Sequence, residues 1–185
     1  MTPILGITAS QITGHLWAPS NSYDSIATVT PYTTTTSVTF SSIPSTYKHL
    51  QIRWFARGSS LAGLYWTFNG DTTANYARHR LSADGSTASA SGLASQNNIY
   101  TVASWGIPNA ASTFAAGVYD ILDYQNTDKY KTMRGLAGQD SNGSGGVELV
   151  SGLWMSSTAI NSITISPNTG TIQANSHWAL YGIKG

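Results

Sequence analysis

A single glutamate, Glu148, stands among 185 residues, and only nine lysines and arginines accompany it. Stable helices are built largely from Ala, Leu, Glu, Lys and Arg, and a chain short of three of these five has little to make them from. The expected fold is therefore all-β. Charged residues are 9% of the chain, against roughly 25% in soluble proteins, and Ser, Thr, Asn and Gly fill the surface instead. At this length the expectation is one domain, able to bury most of the surface its unfolded chain exposes.

Alternating apolar residues predict short strands near 24–30, 37–40, 49–56, 64–68, 77–81, 98–102, 114–124, 131–136, 147–154, 162–166 and 177–183. The breaks carry turn chemistry: Asn69-Gly70-Asp71, Asp84-Gly85, Asn142-Gly143 and Pro167 to Gly170 each offer a residue that tolerates positive φ or bonds its own backbone. Strands at this spacing predict an antiparallel β-sandwich, best fitted by a jelly roll with peripheral strands. The Gly/Ser-rich stretches 82–95 and 138–146 read as long loops at one end of it. Thr33 to Thr36 favour extended backbone in a loop or at an exposed edge. Residues 1–19 form an N-terminal arm and residues 20–185 the single domain, expected to be one module whose last strand closes the chain.

A net charge of +1 offers no clustered cations for nucleic acid or an anionic membrane surface, so neither is expected as a partner. There is no cysteine, which excludes disulfides, thiolate metal sites and thiol nucleophiles. Residues 1–16 lack the basic start and apolar run of a signal peptide, and no apolar stretch approaches the ~20 residues of a spanning helix. Cytoplasmic synthesis without export is the expectation.

Chemistry-bearing constellations are weak. Arg78, His79 and Arg80 could grip an anion, but strand alternation sends the arginines to one face and the histidine to the other. The four histidines are scattered without metal-ligand spacing, and Asp120 and Asp123 point to opposite sides of a strand. No GxSxG or phosphate-cradling loop is present. No catalytic residue, metal or cofactor is expected. Six tryptophans and ten tyrosines are the stronger signal. Trp66, Trp105 and Trp154 could stack on a ligand such as a sugar, although core or subunit interface is the favoured reading in a sandwich. So little surface charge also leaves copies of the chain without mutual repulsion, which favours a homo-oligomer.

The segments FSSIPSTYKHLQIR (40–53), FNGDTTANYARHRL (68–81), DILDYQNTDKYKTMRGLAG (120–138), GLWMSSTAINSITI (152–165) and ALYGIKG (179–185) together resemble small virion-associated proteins of tailed bacteriophages. The resemblance spans almost the whole chain. It implies a structural protein of the particle, a sandwich or jelly roll, trimeric, with no catalytic residues to carry over. The leading expectation is a capsid decoration or cement protein whose trimers bridge subunits of the major capsid protein. Its arm would anchor through Ile4, Leu5, Ile7, Leu16 and Trp17, adding to a neighbour's sheet edge. The alternative is a tail or fibre component that recognises a surface glycan.

Overall fold

A computed structural model describes residues 22–102 and 106–185. Among them are twelve strands and no helix: β1 (Tyr23–Val29), β2 (Val38–Phe40), β3 (His49–Ala56), β4 (Leu64–Phe68), β5 (Tyr76–Ala83), β6 (Ala88–Gln96), β7 (Ile99–Thr101), β8 (Ala115–Leu122), β9 (Lys131–Asp140), β10 (Gly145–Trp154), β11 (Ile163–Pro167) and β12 (His177–Ile183). Eight form one antiparallel sheet in the order β1-β12-β3-β8-β9-β10-β5-β6, and four form a second, β2-β11-β4-β7. The sheets pack together as a sandwich, so the all-β expectation holds. Setting aside the hairpins β5–β6 and β9–β10 leaves β1-β12-β3-β8 facing β2-β11-β4-β7, and both hairpins extend the larger sheet alone.

Period-two alternation builds the core. In β3 (HLQIRWFA) Leu50, Ile52, Trp54 and Ala56 face inward, and Trp178 and Leu180 follow suit on β12. The small sheet answers with Leu64, Trp66, Phe68, Ile163 and Ile165. At the centre the Trp54 ring stacks on Trp178 at 5.0 Å, and Trp66 meets Tyr119 at 4.8 Å. Burying one such ring removes 150–250 Å² from water and contributes about 4–6 kcal/mol. Glycines make the room. A Cβ at Gly135 would lie 2.1 Å from the Tyr119 ring, and one at Gly117 would lie 2.8 Å from Trp54.

Two polar devices brace the end of the larger sheet where β5 and β9 begin and β10 finishes. Asp71 follows the Asn69-Gly70 turn, whose φ values of 53° and 70° only such residues adopt readily. Its carboxylate accepts from the Thr73 amide and hydroxyl, from Asn75 Nδ2 and from Trp154 Nε1. Burial alone would raise its pKa, but these hydrogen bonds outweigh burial and hold the carboxyl well below the usual range. Lys131 is fully buried, and its Nζ donates to the carbonyls of Asn126, Lys129 and Ser157. Desolvation pushes its pKa down.

Two expectations are corrected. Stretch 82–95 is mostly strand, not a long loop: β6 pairs with β5 along its length through a turn at Asp84-Gly85. Likewise 138–146 is a tight β9–β10 hairpin, turning at Asn142-Gly143. Pairing with neighbouring strands templates both by backbone hydrogen bonds, which ask little of side chains, so Ala, Ser and Gly are accepted there. The two turns do lie side by side, as Asp84, Gly85 and Gly143 to Gly145 line one hollow. The expected arm, with Ile4, Leu5, Ile7, Leu16 and Trp17, lies outside the described residues.

Candidate interaction surface

Trp66 is 0% exposed and Trp154 2% exposed, so neither ring can serve as a stacking platform, and that reading is corrected. Each indole is spoken for: Trp66 Nε1 donates to Thr101 Oγ1 at 2.9 Å, and Trp154 Nε1 to Asp71 at 2.7 Å. Trp105 lies outside the described residues. Arg78 and Arg80 do share one face and His79 takes the other. The arginines turn inward beneath β7, where Arg80 Nη1 meets Glu148 Oε2 at 3.2 Å and the Arg78 guanidinium lies 5.3 Å over the Tyr100 ring. Glu148, 1% exposed, also accepts from the Val102 amide. Burial, with the Arg80 charge adding to it, pushes the Arg78 pKa down. This is a closed cluster in which Glu148 pairs with Arg80, while the buried Arg78 Nε and Nη1 have no hydrogen-bond partner among the described residues. No three His, Cys, Asp or Glu side chains converge on a metal-sized site among the described residues.

What the sequence did not flag is the outer face of the larger sheet. Because every strand alternates, the residues not used for the core line up in register across it. One row runs Arg53, Val118, Leu136, Leu149, Leu81, Ala90 from β3 to β6. The next runs Phe55, Ala116, Gly138, Val147, Ala83, Ala88 over the same strands. Phe55, Leu81, Leu136, Val147 and Leu149 are 43–55% exposed, and they are contiguous. Soluble monomers rarely leave apolar patches of more than a few hundred Å² open, and larger ones mark interaction sites. Sheets buried on both faces carry apolar residues on both, and this one does.

The face is ordered rather than merely greasy. Phe55 is fixed between His177, stacked at 5.3 Å, and Phe114, edge-on at 5.9 Å. Beside it a groove of about 540 Å³ is lined by Val118, Leu136, Gly138, Val147, Ala179 and Tyr181. A polar rim borders it: Arg53 Nε donates to Gln51 Oε1 and Gln51 Nε2 to Asp120 Oδ1, both at 2.7 Å. The Arg53 guanidinium also sits 5.3 Å over the rings of Tyr23 and Tyr181. An apolar centre with a pre-set polar rim is the anatomy of a protein–protein interface.

Comparison with protein-family models, with characterised proteins and with solved structures found no match to this chain. No helix among the described residues is long and apolar enough to cross a membrane.

Proposed function

We propose that this chain is a structural protein of a bacteriophage particle, a homotrimeric capsid decoration protein that binds the major capsid protein and bridges its subunits. The apolar outer face of the eight-stranded sheet carries the reading, since a surface of this kind works by being covered by protein. Three further features support it. The strand order β1-β12-β3-β8 over β2-β11-β4-β7, with two hairpins added, supports a jelly-roll reading of the sandwich, a fold that recurs in viral coats. The chain has almost no charge with which to repel its neighbours. Its segments resemble virion proteins. Stability on the particle would come from multivalency, each weak contact becoming effectively intramolecular once the trimer has docked.

The tail or fibre alternative is weaker than the sequence made it. Its long polar loops are hairpins, and two of its candidate sugar platforms, Trp66 and Trp154, are in the core. The deciding experiment is the copy number of this chain in purified particles, by quantitative mass spectrometry against the major capsid protein. About one copy per capsid subunit is expected. A few copies per particle would move it to the tail, and absence from the particle would end the virion reading.

A further inference from the structure

We infer that the outer face of the eight-stranded sheet is covered by a second copy of this chain, which seats its leucine row in the hollows beside its partner's. The inference rests on the homo-oligomer part of the reading above and gives it a location.

Three properties of the face select a copy of itself over a foreign partner. The first is relief. The row Val118, Leu136, Leu149 and Leu81 stands beside a row of Ala116, Gly138, Ala83 and Ala88, broken only by Val147. A contact between like copies needs knobs and hollows on one surface, and these rows supply both. The second is charge. By alternation the face carries Arg53 and Arg134 against Asp120 and Asp140, two of each sign, so apposed copies do not repel and a highly charged partner finds nothing to read. The third is area. Eight strands span about 35 Å, and the two apolar rows with the polar row of Gln51, Asp120 and Arg134 beside them cover about 20 Å, giving roughly 700 Å². That matches the ~800 Å² each partner contributes to a stable interface.

The chain has no cysteine, so introduced thiols report cleanly. Light scattering on the purified full chain is expected to give two chains, or six where trimers of the virion reading pair through this face, because a face that seats on its own copy closes with twofold symmetry. The double variant Leu136→Lys/Leu149→Lys is expected to run as a single chain with an unchanged circular dichroism spectrum. In the otherwise native chain, a thiol at Leu149→Cys is expected to react with maleimide at least 10-fold more slowly than one at Tyr32→Cys, which is 93% exposed. This labelling arm decides the matter even where the lysine variant fails to fold.

A wild-type monomer overturns the inference. Deleting residues 1–21 then identifies the cover: new oligomerisation or dye binding points to the chain's own N-terminal segment, and no change points to a foreign protein. An oligomer in which Leu149→Cys labels as fast as Tyr32→Cys also overturns it, since another surface then makes the contact. None of these outcomes touches the copy number in the particle, so the inference and the virion reading fail separately.

Discussion

The two faces of the larger sheet are both apolar, yet they are built differently. The inner face carries large rings in fixed relation, Trp54 on Trp178 and Tyr119 under Trp66, with Gly117 and Gly135 cut away to admit them. It also holds the two most deeply buried charged side chains, Lys131 and Glu148, each with partners. The outer face has leucine, valine and alanine, half-exposed, and keeps its polar groups at the rim. Interdigitated packing and satisfied buried polar groups specify a single fold. A generic apolar surface specifies only that something covers it. The difference separates residues that make the domain from residues the domain does not need for itself.

The strand where the faces diverge most is β10, in which Val147 and Leu149 point outward and the glutamate between them points in. Removing Glu148 should therefore cost far more than removing either neighbour. Glu148→Ala strips the carboxylate from Arg80 and from the Val102 amide, leaving buried positive charge uncompensated. A loss of about 3–5 kcal/mol is expected, read as a shift in denaturant midpoint. A loss no greater than that of Val147→Ser would show that burial and partners do not distinguish the faces.

The second effect is alkaline. Tyr76 is buried on the inner face, donating to the Asp71 carbonyl and accepting from the Phe68 amide, and burial pushes its phenol up to about 12. Burial raises Tyr119 as well. A folded-state pKa above the unfolded value of 10.0 means this stability is fully present below pH 10 and is lost as pH rises through about 12. The loss attached to Tyr76 is on the order of 2 kcal/mol. Melting temperature against pH should fall across that window, and Tyr76→Phe should flatten the fall. An equal slope in the variant would place the alkaline transition elsewhere.

These contrasts also show what the sequence could reveal. β3, β4 and β12 occupy the residues alternation assigns them, and the Asn-Gly and Asp-Gly turns fall where turn chemistry put them. Those signals are local. β6 (ASASGLASQ) was missed because it is a strand by virtue of pairing with β5, and its own residues read as loop. Glu148 reads as an outward residue from Val-Glu-Leu alone, although Trp154, six positions on and so on the same side of the strand, hints at its inward turn. The outer patch was hidden for a different reason. Leu81, Leu136 and Leu149 are far apart in the chain, and only the register of β5, β9 and β10 brings them into one row. Core or interface is the favoured sequence reading of Trp66 and Trp154, and both rings are core, with their indole nitrogens paired to Thr101 and Asp71.

The smallest effect tests the outer face most cleanly. Leu149→Thr puts a β-branched, strand-favouring residue at a half-exposed strand position and removes apolar surface that the isolated chain leaves open. In the single variant Leu136→Lys, expected to run as one chain like the double variant, the substitution should change folding free energy by about 0.5 kcal/mol or less. In the oligomer the same substitution removes a knob from a covered surface, so its dissociation midpoint on dilution should move to higher concentration. A side chain that is nearly silent within its own fold but felt between copies is an interface residue. Equal costs in both backgrounds would make Leu149 a core residue after all, and the two faces of the sheet would differ only in degree.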